Sequence, residues 1–281
     1  MIYANYHSHS TYCDGKGSPE AYVAEALKQE MTALGFSSHA PLPFPNDWTM
    51  KDSLLEAYLA ETAALKKKYH GRIELYTGLE IDFIHELMAP SDPFYAALGL
   101  DYVIGSVHVL RDEKTGDYPG IDYTEKDMDQ LLAGSFNGDS RLLVQTYYSR
   151  VREMIRKGGF TILGHMDVIK KTNIGSKYFD EKESWYYEEV IKTLDAVQSA
   201  GVLLEVNTGN SRWQGIDSLY PSPWILKLCR QRKIPVVLNS DAHIPKRLSI
   251  HFKDALTALT AAGYRETMVL KGGKWRPEKI V

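Results

Sequence analysis

The stretch Ile2-Tyr3-Ala4-Asn5-Tyr6-His7-Ser8-His9, with Ser18-Pro19-Glu20-Ala21-Tyr22-Val23 soon after it, decides the fold. A short apolar run that ends on imidazoles reads as a strand whose carboxyl end carries chemistry. Ser18 then supplies an N-cap and Pro19 takes the first helical position, where its missing N–H costs nothing. Tyr22, Val23, Ala26 and Leu27 recur at helical spacing and give that helix an apolar face.

The same strand-then-helix unit repeats along the chain. Runs at 33–38, 73–79, 102–107, 161–163, 202–206, 235–238 and 267–270 read as strands. Helical patterns at 52–69, 93–98, 140–157, 181–200, 222–232 and 252–262 fall between them. Residues 111–137 break the rhythm: Gly116, Pro119, Gly120, Gly134 and several acids mark a long insertion over the mouth of the site, with one helical turn near 125–132. Alternating strands and helices imply parallel strands joined by right-handed crossovers. Seven or eight such units in 281 residues predict a TIM-like α/β barrel rather than an open sheet. Without an internal repeat or a linker, one domain over 1–281 is expected.

Composition narrows the function classes. A hydrophobic fraction of 44% and a charged fraction of 25% are those of a soluble globular protein. A net charge of −3 with no basic face argues against nucleic acid. The run at 66–68 is a solvated last helical turn, where lysines suit the helix dipole. Cys13 and Cys229 lie far apart and suggest no disulfide framework, so a reducing cytoplasm is expected. Residues 1–9 lack a basic segment and a long apolar stretch, so neither a signal peptide nor a membrane span is expected.

Six of the nine histidines, His7, His9, His39, His108, His165 and His243, sit just after the apolar runs, and the run at 73–79 ends on Glu80. Residues i and i+2 of a strand share a face, so His7 and His9 project together and can chelate one metal. Asp241 and His243 repeat that spacing. Asp14 precedes Gly15 and, taken alone, is turn punctuation. One such histidine is ordinarily a hydrogen-bonded loop residue. Six at the carboxyl ends of predicted strands, where barrels build their sites, point to a multinuclear metal site and a metal-dependent hydrolase.

The ordered set H-x-H-x4-D-G from His7, S-x-H-A around His39, G-x-E at Glu80, G-S-x-H at His108, G-H-x-D at His165 and S-D-A-H at Asp241–His243 resembles the PHP (polymerase and histidinol phosphatase) superfamily. Tyr12-Cys13-Asp14-Gly15, the segment from Glu205 to Arg212, and Tyr220-Pro221-Ser222-Pro223 are similar to its histidinol-phosphatase branch. The resemblance implies a distorted (β/α)7 barrel with three divalent ions in a cleft. It implies one ion on His7, His9, Glu80 and Asp241, a second sharing Glu80 and adding His108 and His165, and a third on Asp14, His39 and His243. Mixed nitrogen and oxygen ligands suit Zn, Mn or Fe. Three divalent ions against three carboxylates leave a surplus that suits a phosphate monoester dianion.

The activity so implied is hydrolysis of histidinol phosphate, a small phosphate ester, in histidine biosynthesis. A metal-activated water would attack phosphorus in line. Glu80, Asp14 and Arg212 are expected to act in catalysis, and Arg212 and His243 to contact substrate. The guanidinium of Arg212 can hold two phosphate oxygens at once. Asp112, Glu113, Asp117 and Asp122 all stand as acceptors for the cationic end of the substrate. Another phosphomonoester, such as a phosphotyrosine or a nucleotide, and a non-catalytic metal-binding module are the competing functions.

Overall fold

In a computed structural model, which describes residues 4–280, seven parallel strands follow one another in sequence order. They are β1 (Ala4–Asn5), β2 (Ala33–Phe36), β3 (Glu74–Asp82), β4 (Tyr102–Ser106), β5 (Ile162–Leu163), β6 (Leu203–Asn207) and β7 (Val236–Asn239). Around them lie α1 (Pro19–Lys28), α2 (Leu55–Lys68), α3 (Pro93–Ala96), α4 (Glu125–Gly134), α5 (Ser140–Lys157), α6 (Ser184–Ala200), α7 (Pro223–Gln231) and α8 (Phe252–Ala261). Ser18 caps α1 by accepting from the Ala21 N–H, with Pro19 inside the first turn, as the sequence predicts. Ile2 and Tyr3 of the expected first strand lie outside the described residues.

The ring closes between β1 and β7 with few backbone bonds. A parallel bridge joins Ser8 to Ala242; the His9 N–H donates to the Ala242 carbonyl at 2.9 Å, and the Ala242 N–H to the His7 carbonyl at 3.1 Å. Below that point two asparagine side chains replace the ladder. The Tyr6 N–H donates to Asn239 Oδ1 and the Ser240 N–H to Asn5 Oδ1, each at 2.8 Å. Buried peptide groups must be paired, and amides of the right length do this where the strands splay.

The interior is filled by Tyr6, Tyr76 and Tyr102 among small and aliphatic residues. The Tyr102 hydroxyl sits 2.6 Å from the Tyr6 carbonyl and 2.9 Å from that of Phe36. Its ring occupies the space that Gly35 and Gly78 leave: a Cβ would lie 2.3 Å from the Tyr102 hydroxyl at Gly35, and 2.6 Å from Cζ at Gly78. Two glycines on neighbouring strands thus make room for one large ring.

Three expectations need correction. The run at 267–270 is a strand, β8 (Glu266–Lys271), but it pairs antiparallel with β9 (Lys274–Lys279) outside the barrel. The turn between them is Gly272-Gly273 with φ of +55° and +72°, the left-handed pair that a tight hairpin needs. This hairpin plugs the barrel floor: the Leu270 N–H donates to the Tyr6 hydroxyl at 2.8 Å, and Trp275 packs edge-on to Tyr6 at 5.0 Å. Second, β3 does not end before Glu80. It pairs with β4 as far as Asp82, opposite Ser106, so Glu80 and Asp82 share a face. Third, the insertion at 111–137 holds a ten-residue helix rather than one turn. This is α4, capped by Thr124, whose hydroxyl accepts from the Asp127 N–H at 3.1 Å. Ile121, Met128 and Leu131 bury this segment against the core. Among the described residues, no helix is long and apolar enough to cross a membrane.

Overpacking a filled interior costs about 1–3 kcal/mol. Gly78→Ala is therefore expected to lower unfolding free energy by roughly that amount, read as a shifted denaturant midpoint at constant slope. An unchanged midpoint would show that Tyr102 can move aside.

Candidate metal centre

All nine histidine and carboxylate side chains expected as ligands meet at the carboxyl rim of the strands. His7 and His9 leave β1 together, their ring centroids 5.0 Å apart. Glu80 projects from β3 and is 1% exposed. Its Oε2 lies 3.1 Å from His7 Nε2, 3.5 Å from His9 Nε2 and 3.0 Å from His39 Nδ1. Its Oε1 lies 2.9 Å from His165 Nε2 and 3.5 Å from His108 Nε2, and accepts from Ser106 Oγ at 2.6 Å. The two oxygens of one carboxylate thus face two sets of imidazoles. Asp241 Oδ1 lies 3.0 Å from His9 Nε2 and 3.5 Å from His7 Nε2. Asp14, the turn residue, stands 3.2 Å from His243 Nε2 and 4.0 Å from His39 Nε2.

Four groups of these side chains place their donor atoms within 4.8 Å of one another: His9, Asp14, His39 and His243; His7, His9 and Asp241; His7, Glu80 and His165; and His39, Glu80 and His108. The expected partition into three ligand sets is recognisable, but the groups overlap. His9 belongs with Asp14 as well as with His7, and His39 turns Nδ1 toward Glu80.

The donor set fits divalent ions on its own chemistry. His7 Nε2, His9 Nε2, His39 Nδ1, Asp14 Oδ1, Glu80 Oε2 and Asp241 Oδ1 are all buried and none makes a well-formed hydrogen bond, although they crowd one another at ion-pair distances. A buried polar atom left without a well-made hydrogen bond costs about 1–3 kcal/mol, and lone pairs crowded together in this way suit a shared divalent cation.

Proton affinities reflect the same crowding. Burial pulls the His9 imidazole down to about 3, helped by His39 and His243. Burial also opposes charge on His108, but Asp82 and Glu80 outweigh it and lift that imidazole to about 10. His243 rises to about 9 for the same reason, through Asp14 and Asp241. Burial would raise Glu80, yet His7, His39 and His108 hold it well below the usual carboxylate range.

A further layer of carboxylates orients the ligands, and sequence reasoning missed it. Glu205 on β6 sits 2.6 Å from His7 Nδ1 and accepts from the His165 N–H at 2.9 Å. Asp82 sits 3.0 Å from His108 Nδ1. Such carboxylates fix which imidazole nitrogen is free to bind a metal. The signal was present: Asp82 stands two residues after Glu80 on one strand, and Glu205 two before Asn207. Cys13 lies 3.6 Å from His9 Nδ1, and burial, with Asp14 adding to it, pushes its thiol up to about 12.

The centre opens into a cleft of ≈ 270 Å³. Trp48 forms one wall, edge-on to His39 at 4.7 Å. The insertion contributes Tyr118 and Asp122, and Lys171 reaches in from below with its ammonium 2.8 Å from Asp122. Of the four acids weighed for the substrate's cationic end, Asp122 lines the cleft. Asp112 is buried, accepting from the Lys114 N–H and Ser135 Oγ, Glu113 pairs with Arg111 at 2.9 Å, and Asp117 accepts from the Asp112 N–H through its carbonyl. Arg212 stands on the loop after β6 with Nη1 3.6 Å from Glu125 of α4 and no hydrogen bond on that nitrogen. Its charge acts on Lys171 and Tyr220, both in the cleft wall.

A seven-stranded parallel barrel with a histidine–carboxylate cluster at its rim defines a metal-centred barrel protein. The chain matches the PHP domain family over residues 5–209, and it belongs to that family. The histidinol-phosphatase of Bacillus subtilis is 32% identical over 252 residues, 84% of this chain and 92% of its own. A Deinococcus radiodurans protein is 31% identical over 274 residues, 96% of this chain and 97% of its own. The crystal structure of histidinol phosphate phosphatase from Lactococcus lactis, complexed with Zn, L-histidinol and phosphate, superposes with a TM-score of 0.73 at 21% identity, covering 97% of this chain and 98% of that one.

Removing the charge of Glu205 frees the His7 ring. Glu205→Gln is expected to weaken metal affinity roughly 10- to 100-fold, measured by chelator competition with elemental analysis; parent-like affinity would sink the orienting role. The metal-free protein should also respond to pH. His108 and His243 have folded values raised to about 10 and about 9, above the ordinary value of about 6.5. Their contribution is full below that ordinary value and is lost as pH rises through the folded values. Melting temperature without metal should therefore fall from about pH 6.5 to pH 10 and flatten when divalent ions are restored.

Proposed function

We propose that this chain is a metal-dependent phosphatase that hydrolyses L-histidinol phosphate to L-histidinol and phosphate. The observation that carries the reading is a largely buried cluster of six histidines and three carboxylates, of which Asp14, His39, His108, His165, Asp241 and His243 line one small cleft. The named relatives support the substrate. The zinc in the Lactococcus lactis complex supports divalent ions in this donor set.

His7, His9, Glu80 and Asp241 would hold one ion, Glu80 with His108 and His165 a second, and Asp14, His39 and His243 a third, of Zn, Mn or Fe. Bound there, such ions polarise phosphoryl oxygens and bring the pKa of water toward neutrality, which supplies a nucleophile without a separate strong base. The rest falls to the chain. Glu80 spans two ligand groups and fixes their separation. Glu205 and Asp82 hold the His7 and His108 rings with one nitrogen turned to the cleft. Arg212, whose Nη1 faces Glu125 without a hydrogen bond, would have to leave that pair to reach a phosphate oxygen in the cleft. Trp48 and Tyr118 line the cleft as aromatic contacts for the imidazole of the substrate, and Asp122 is the acid that its ammonium would meet. The insertion at 111–137 acts as the wall that excludes water on that side, within one domain of residues 1–281. Cys13 and Cys229, both unpaired, suit a reducing cytoplasm.

Phosphate release from L-histidinol phosphate, compared with phosphotyrosine, nucleotide and aryl phosphates, tests the substrate. Preference for histidinol phosphate is expected, and equal rates across the panel would remove it while leaving the phosphatase reading. Glu80→Gln should reduce turnover below detection and lower the content of two ions together. Full metal content with near-parent activity would refute the shared carboxylate.

A further inference from the structure

Tyr220 stands in the cleft wall, 2% exposed, and its hydroxyl has no hydrogen-bond partner among the described residues. The rest of the residue is fixed. The Asn207 N–H donates to its carbonyl at 2.6 Å, and its own N–H donates to the Asn207 carbonyl at 3.1 Å. Lys170 lies over the ring at 5.3 Å, donating to the Leu219 carbonyl at 2.7 Å and to Ser222 Oγ. Asp167 completes the clamp: it accepts from the Ser222 N–H at 2.9 Å and pairs with Lys170 at 3.1 Å. The ring cannot swing away to find a partner. On the cleft side its centroid is 6.4 Å from that of His165, and the charges of Asp122, Asp241 and Arg212 act on the phenol.

A buried hydroxyl without a partner destabilises a fold relative to the same ring without it. Phenylalanine would fill this position with nothing left unpaired. An acceptor oxygen that enters the cleft beside His165 gives the hydroxyl a partner. We propose that Tyr220 is a phosphate-binding residue whose hydroxyl donates a hydrogen bond to a non-bridging phosphoryl oxygen of the substrate and then of the phosphate product. The assignment rests on the reading of the cleft as a phosphatase site and adds a contact that no metal ligand supplies. Burial, reinforced by Asp122, holds the phenol well above its ordinary value, so it acts as a donor and stays protonated throughout.

Tyr220→Phe removes one oxygen and keeps the packing. The metal-loaded variant and the parent enzyme are compared for metal content, melting temperature, competitive inhibition by inorganic phosphate, and kcat/KM on L-histidinol phosphate and p-nitrophenyl phosphate. The proposal expects unchanged metal content, a melting temperature equal to or above the parent's, and inhibition by phosphate weakened roughly 10- to 100-fold, as for loss of a hydrogen bond to a charged acceptor. Both kcat/KM values should fall by a similar factor. Parent-like phosphate inhibition and turnover would overturn it. So would a loss of turnover accompanied by lost metal or a lowered melting temperature, since Tyr220 would then be a packing residue. A parent enzyme active on p-nitrophenyl phosphate but not on histidinol phosphate would remove the substrate reading, while the ratio of phosphate inhibition constants would still decide the role of Tyr220.

Discussion

A carboxylate shut away from bulk solvent governs this molecule. Glu80 is 1% exposed and meets five imidazoles, three on one oxygen and two on the other. An isolated buried charge is costly by several kcal/mol, and the surrounding imidazoles offset that cost only when they carry protons or share cations with it. The position of each imidazole is set in turn by where its strand ends, so the requirement of a single side chain extends to nearly every strand of the barrel. Glu205 has the matching role behind the ligands. It touches His7, the His165 N–H, Asn207 and Asn239, residues drawn from or just beyond four different strands.

Asn239 connects the centre to the architecture. Its side-chain nitrogen donates to Glu205 at 2.9 Å and its oxygen accepts from the Tyr6 N–H at the seam between β1 and β7. The amide that substitutes for missing ladder bonds also positions the carboxylate behind His7. Barrel closure and ligand geometry are therefore a single hydrogen-bond network, in which each group limits the freedom of the next.

Much of this is legible in the chain. Strand-end histidines follow from alternation along a strand, and α1 follows from Ser18 and Pro19, because both are local rules of geometry. What sequence does not disclose is non-local. Nothing near Glu205 says that His7 will lie 2.6 Å away, 198 residues earlier. The eighth strand is visible as an apolar run, but its direction is decided by the Gly272-Gly273 turn and by a partner, β9, whose charged residues and Pro277 suit an edge. Arg212 stands out by its chemistry alone, whereas Tyr220, a member of the Tyr220–Pro223 motif, becomes informative only when its hydroxyl is found without a partner.

The order of the ligands along the chain carries a consequence for biosynthesis. His7 and His9 emerge from the ribosome more than two hundred residues before Asp241 and His243, and the hairpin that steadies Tyr6 comes later still. No nascent chain that stops before residue 243 possesses all nine of the proposed ligands. Selection of the metal therefore waits until segments more than two hundred residues apart have met.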